Sequence, residues 1–275
     1  MPLQQKEAIV KLLSDDDPLT VNLVKEELIS QGAEASGELQ KLLAEENDNV
    51  RRHVTQVLAE IDAREAAAEL SLLCPLFHDD GDIEHANWLL ARALLPGVPV
   101  AHYKRMIDDF GSDLSTLLRD TGQPRERIGI IAAYLGIKQG FRGNAGDYYD
   151  PSNSLLPGVL ESRMGIPISL TLLYMLAGAR AGMKIEGVNL PGHFLARHEG
   201  VIFDPFGRGR LMTLGECNEI LARQKLAFNP EHVEVASNRV MLRRILTNLL
   251  YVFQNEGEEA RAKCMAEWIH GLERD

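Results

Sequence analysis

The residues best suited to chemistry lie in PGHFLARHEGVIFDP, residues 191–205, where His193 and Asp204 bracket two short apolar runs. Phe194 and Ala196, then Val201 and Phe203, recur with the period of two that marks a strand. With His198 and Glu199 as a two-residue turn, Arg197 faces Gly200, Leu195 faces Ile202, and His193 faces Asp204. Such cross-strand partners hold their Cβ atoms roughly 4.5–5.5 Å apart. A carboxylate at that distance orients an imidazole and stabilises its protonated form, the pairing that acid–base and nucleophilic catalysis use. Apolar neighbours on both strands make a purely solvated His–Asp pair a poor explanation.

Two other elements must position this pair. The first is the segment ESRMGIPISLTLLYMLAGARAG, residues 161–182. It predicts a buried helix with Pro167 in its first turn, where a missing N–H has no intrahelical partner to lose, and Gly182 just past its end. The second is FRGNAGDYYDPSNSLLPG, residues 141–158, rich in Gly, Asn, Asp and Pro. Asn144, Asp147, Asp150 and Asn153 suit an irregular loop held by side-chain-to-backbone hydrogen bonds. Tyr148 and Tyr149 offer large apolar faces with polar ends, as recognition surfaces do. Asn144, Asp147, Tyr148, Tyr149, Asn153 and Arg163 form the candidate binding set.

Around this centre the chain reads as helical. DDDPLTVNLVKEELISQG places Asp17 as an N-cap with Pro18 at the first helical position, and Leu19, Leu23, Leu28 and Ile29 near one face. Asn49-Val50-Arg51 opens a second unit, so residues 1–72 resemble a HEAT-type repeat pair, with an ordinary helical cap on the next domain as the alternative. Ile83, Trp88, Leu89 and Leu94 stripe another helix that stops at Pro96-Gly97, and PRERIGIIAAYLGIKQG reads as an amphipathic helix ending near Gly136 or Gly140. Two C-terminal helices are striped by Val240, Ile245, Leu246, Leu249 and Val252, then by Ala262, Met265, Ala266 and Ile269. Their expected role is to close the core or to present a protein-binding face.

Bulk properties remove some function classes. A formal charge of −11 with no basic run excludes a polyanion partner, because nucleic-acid affinity comes mainly from Lys and Arg neutralising phosphates. Cys74, Cys217 and Cys264 are odd in number and lack metal-type spacing, which fits free thiols in a reducing compartment. The N-terminus has no signal-peptide pattern, and no apolar run reaches the ~18 residues of a membrane span. These features predict a soluble cytoplasmic protein with no membrane or nucleic-acid partner; they do not set its oligomeric state.

Helix entry, then a strand with His, then a neighbouring strand with Asp is the order found in transglutaminase-like and papain-like cysteine enzymes. The combined elements GN…DYYDP.NS, R.GIP.SL and PGHF…DPF closely resemble the transglutaminase-like domain of the bacterial Sir-B family, also found in a eukaryotic F-box protein. The resemblance implies that His193 and Asp204 hold the triad histidine and acid positions, and that Pro167 stands at the position of the triad cysteine. Classical Cys-His-Asp chemistry is then absent. Ser169 lies two residues on, a step that rotates a side chain by about 200°, so it is expected to cap or pack. A divalent ion between His193, Asp204, Asp147 and Asp150 has no recognised ligand spacing behind it, and neither metal nor cofactor is expected.

The resulting expectation is an α+β protein: a helical region over 1–72, a transglutaminase-like (papain-like) core with a small antiparallel sheet over 73–230, and a helical, TPR-like tail over 231–275. Its expected role is a non-catalytic binding or regulatory module for a protein or peptide partner. The alternative is a hydrolase or acyltransferase that uses His193 and Asp204 with an unrecognised nucleophile or metal. A structural His–Asp pair in a helical interaction scaffold is the third reading.

Overall fold

A computed structural model describes residues 3–44 and 47–274 as an α+β protein with small sheets among many helices. The chain divides into two compact units, Met1–Leu70 with Leu89–Pro99, and Ser71–Trp88 with Val100–Asp275.

The first unit contains α1 (Leu3–Leu13), α2 (Pro18–Gln31), α3 (Ala33–Leu42) and most of α4 (Asp48–Leu73). Asp17 caps α2 by accepting the Leu19 and Thr20 N–H groups, and Pro18 takes the first helical position. The buried face of α2 differs from the expected one. Val21 and Leu28 are inside with Val24 beside them, while Leu19 and Leu23 are exposed. The 21, 24, 28 spacing keeps one helical stripe, and Leu19 and Leu23 fall off it. Val50, Val54, Val57 and Ile61 of α4 complete this core. Arg92 binds both carboxylate oxygens of Asp62, at 2.6 and 3.1 Å.

The second unit is built on α9 (Pro167–Arg180), whose Leu170, Leu173, Tyr174 and Ala177 are fully buried. Around it stand α6 (Val100–Leu117), α8 (Leu156–Ser162) and α11 (Asn238–Glu256). The helix α5 (Ile83–Leu94) supplies Glu84, which binds Arg180 of α9 through two 2.7 Å hydrogen bonds. Asp108 of α6 takes the third Arg180 donor at 3.0 Å. Such a forked pair is favoured because the guanidinium geometry matches the carboxylate. The helix α12 (Glu259–Leu272) packs along α11, so the C-terminal pair lies within this compact unit.

The expected helix over residues 124–140 is two pieces. Regular α7 (Pro124–Ile131) runs into a π-helical segment, Ala132–Lys138. There Gln139 N–H bonds Tyr134 O, five residues back, at 2.9 Å. The wider turn brings Gly136 against the Arg208 backbone, a contact that leaves no room for a Cβ.

One four-stranded antiparallel sheet runs in the order β3 (Glu186–Val188), β4 (Leu195–His198), β5 (Val201–Asp204), β6 (Arg210–Leu211). A two-residue parallel pair joins β1 (Arg142–Gly143) to β2 (Met164–Gly165). The β4–β5 register corrects the expected one: Ala196 pairs with Phe203, Arg197 with Ile202, and His198 with Val201. The turn is therefore Glu199-Gly200, with φ of 46° and 82°. Two successive positive φ values are what a type I′ hairpin requires, and glycine at the second position supplies one without steric cost. His198 is drawn into the ladder instead, with its Nδ1 2.7 Å from the Lys184 carbonyl oxygen.

Candidate functional site

Asp204 ends β5 and is only 7 % exposed. Its carbonyl accepts the Gly209 N–H at 2.8 Å, and its Oδ1 accepts the Phe206 N–H at 3.0 Å. A carboxylate thus closes the turn that carries the chain from β5 to β6. The same Oδ1 lies 3.0 Å from Nε2 of His193. His193 sits before β4, just after the Pro191-Gly192 turn, with its N–H bonded to Leu190 O at 2.9 Å. The two residues are therefore not ladder partners. The turn at Gly192, where φ is 82°, swings the imidazole back over the end of β5.

The ring of Phe206 fixes the imidazole from the side, edge to face at 5.8 Å between centroids. Tyr148 packs on the same Phe206 at 6.4 Å, and Gly143 N–H bonds Phe206 O at 2.9 Å. A Cβ at Gly143 would overlap the Phe206 ring, so glycine is required for this approach. Beneath the pair lies Tyr174 of α9. Burial, and secondarily the Asp204 charge, push its ionisation upward, so the phenol stays neutral beside the carboxylate.

Pro167 takes the first position of α9, after Ile166 in an extended conformation. Pro167 and His193 line one narrow cavity of about 10 Å³, together with Tyr148, Ile168, Arg244 and Asn248. His193 spends Nε2 on Asp204, which leaves the opposite ring nitrogen, Nδ1, for other contacts. Ser169 is almost fully buried. Its hydroxyl donates to Asn153 O at 2.5 Å and accepts the Ile166 N–H at 3.1 Å. That hydroxyl proton already has a carbonyl acceptor, and Ser169 works as a cap that ties α9 to the loop.

The loop residues divide by role. Asn153 is buried and donates to Asp147 O at 2.6 Å, while its Oδ1 accepts from Asn144 at 3.1 Å. Asn144 in turn accepts the Asp147 N–H at 3.1 Å, and Asp150 caps the 3-10 turn Pro151–Ser154 through Ser152 N–H at 2.8 Å. These side chains hold the loop shape that delivers Tyr148 and Tyr149. The two tyrosines stack edge to face at 5.4 Å, and Tyr149 reaches Tyr251 of α11 at 5.2 Å. Arg163 is placed elsewhere. It ends α8 at φ 60°, and its guanidinium stacks over Phe141 at 4.7 Å and Phe110 at 5.6 Å.

Two larger spaces lie nearby. A groove of about 370 Å³ is lined by His193 and Asp204 and by Arg210, Glu216, Arg223 and Gln224. A cleft of about 540 Å³ is lined by neither of the pair but shares Tyr148, Arg244 and Asn248 with the narrow cavity. Among the described residues, no group of three or more His, Cys, Asp or Glu side chains could hold a metal ion. Cys74 and Cys217 are buried, and Cys264 is exposed on α12. None of the three lines these spaces.

The sequence pattern of the transglutaminase-like superfamily matches residues 101–247, just over half of the chain, a range that holds the loop, Pro167, His193, Asp204 and Arg244. The chain belongs to the transglutaminase-like superfamily. A UPF0162 protein of Xylella fastidiosa is 31 % identical over 191 residues, covering 66 % of this chain and 68 % of its own. A UPF0162 protein of Pseudomonas aeruginosa is 31 % identical over 184 residues, covering 65 % and 67 %. F-box only protein 21 of Mus musculus is 36 % identical over 129 residues, which is 42 % of this chain but 20 % of the mouse protein. No solved structure matches.

Sequence reading missed the α11 side of the cleft. Arg243, Arg244, Asn248 and Tyr251 carry no local motif, and of the stripe expected on their helix Ile245, Leu246, Leu249 and Val252 are buried while Val240 is exposed at the cleft. Among the described residues, no helix is long and apolar enough to cross a membrane.

Proposed function

We propose that this chain is a Sir-B-type member of the superfamily that binds rather than turns over its ligand. Its His193–Asp204 pair is a triad frame, and Pro167 occupies the place of the triad cysteine. The observation that carries this reading is the shared cavity: the residue at the first turn of α9 that lines it with His193 is a proline, with neither hydroxyl nor thiol. A thiol placed there would gain acidity from the helix N-terminus and from the imidazole. Ser169 offers no substitute, because its hydroxyl is spent on Asn153 O.

The ligand of this module is a segment of a protein partner, held beside His193 by Tyr148 and Tyr149. Support comes from the domain's presence as one fifth of a much larger mouse protein, which fits a portable module. In this layout residues 1–72, the 73–230 domain and residues 231–275 follow one another along the chain, in a cytoplasmic setting. The competing reading, a hydrolase or acyltransferase with another nucleophile, draws on the intact 3.0 Å His–Asp contact alone.

The test is a paired assay on the purified full chain. Amidase, esterase and transamidase substrates should give no turnover above that of His193→Ala. Capture of partners should weaken in Tyr149→Ala and His193→Ala. Turnover that disappears in His193→Ala would overturn the binding reading. Partner capture unchanged in both variants would move the binding face away from this site.

A further inference from the structure

The larger cleft beside His193 has a chemistry of its own. Its wall is aromatic, with Tyr148, Tyr149 and Tyr251, and its floor carries Arg243 and Arg244 on consecutive positions of α11. Asn189 and Asn248 add side-chain amides. Among the described residues no Asp or Glu lines it, in a chain with 40 acidic residues and a formal charge of −11. A cation-only lining is therefore a local reversal of the molecule's charge. Arg244 is half-buried and, among the described residues, makes one hydrogen bond, to Asn189 Oδ1 at 3.3 Å. That single bond leaves most of its five N–H donors for a ligand. Arg243 is exposed and lies 3.5 Å from Glu273, a long contact that a better-placed carboxylate can replace.

We propose that this cleft recognises an acidic peptide segment, with a Glu, Asp or terminal carboxylate of the ligand seated on Arg244 and its backbone running past Asn248 toward His193. This rests on the binding reading above and specifies its ligand. The volume, about 540 Å³, falls within the ~300–1,000 Å³ of ordinary ligand pockets. Planar guanidinium groups pair bidentately with carboxylates, and desolvation by the flanking tyrosines strengthens such pairs. Amide side chains can satisfy the N–H and C=O groups of an extended peptide. Tyr148, Arg244 and Asn248 line both the cleft and the cavity at Pro167 and His193, so a chain lying in the cleft reaches the imidazole.

The probe is a random dodecapeptide display library selected on the immobilised full-length protein, repeated on Arg244→Glu, Arg244→Gln and Arg243→Glu, each checked for an unchanged unfolding transition. Selected peptides should be enriched in Asp and Glu. The strongest, resynthesised with a fluorophore, should lose about tenfold or more in affinity with Arg244→Gln, and Gln-for-Glu peptides should lose a similar amount. Arg244→Glu should shift selection toward Lys and Arg. If Arg244→Glu fails to fold, Arg243→Glu together with Arg244→Gln gives the same reading. Peptides that bind and depend on Tyr149 and His193, without acidic enrichment, would sink this proposal and leave the binding function standing. Failure to select any peptide would overturn both.

Discussion

Nε2 of His193 lies 3.0 Å from Oδ1 of Asp204, and that same oxygen accepts the Phe206 N–H at 3.0 Å. One carboxylate therefore orients the imidazole and closes the turn that supplies Phe206, the ring that packs against His193 and Tyr148. Site geometry and local stability are coupled through a single atom.

It follows that Asp204→Ala should destabilise the fold by about 1–3 kcal/mol, the cost of leaving buried hydrogen-bonding groups without a partner. Asp204→Asn keeps an acceptor for the Phe206 N–H and should lose less. Urea unfolding of the three proteins checks the order, and equal stability of wild type and Asp204→Ala would contradict it.

The thiols should behave as bystanders. Burial pushes the Cys74 thiol up to about 12, and Cys217 is raised by burial first and by the Glu216 charge second. Alkylation of the native protein near neutral pH should modify Cys264 alone, because it is the exposed thiol of the three. Rapid loss of Cys74 or Cys217, read by mass spectrometry, would reveal an activated thiol that the fold does not explain.

A third expectation concerns acid stability at the groove. The N–H of Thr213, the guanidinium of Arg210 and the Thr213 hydroxyl hold the Glu216 carboxyl down at about 2, from 4.5. A depressed folded-state pKa contributes stability above the unfolded value, and that contribution fades as pH falls from about 4.5 to about 2. Glu216 is the third residue of α10 (Leu214–Arg223) and forms a capping box with Thr213, of which glutamine retains much but not the charge. The Tm difference between wild type and Glu216→Gln should be constant above pH 5, shrink through this window, and vanish below it. A difference that persists unchanged at pH 2 would show that charge has no part in it.

Much of the frame was legible in local sequence because its signals are local. Asp17-Pro18 opens a helix by capping chemistry, and Pro167 opens α9 for the same backbone reason. The β4–β5 hairpin was legible as a hairpin but shifted in register: the choice between His198-Glu199 and Glu199-Gly200 depends on which pair can take two positive φ values, and glycine decides it. The His193–Asp204 meeting survives that shift because the Gly192 turn, rather than ladder pairing, brings the imidazole over Asp204.

What could not be read locally was made by distant chain. Arg163 stacks on Phe110 and Phe141, aromatic partners that no periodicity near residue 163 announces. Arg244 and Tyr251 reach the loop tyrosines only because α11 packs against α9 and the Pro151–Ser154 turn. The π segment at Ala132–Lys138 is likewise invisible to a 3.6-residue stripe, since Ile128, Ile131 and Leu135 remain buried through it.

The central claim is that His193, Asp204 and the first turn of α9 keep a thiol-activating frame from which only the nucleophile is missing. Pro167→Cys in a Cys264→Ser background tests it, by alkylation rate against pH. The new thiol should have a pKa below the ~8.5 of free cysteine, rising toward that value when His193→Ala is added. A thiol that titrates at or above ~8.5 with His193 present would show that no such frame remains.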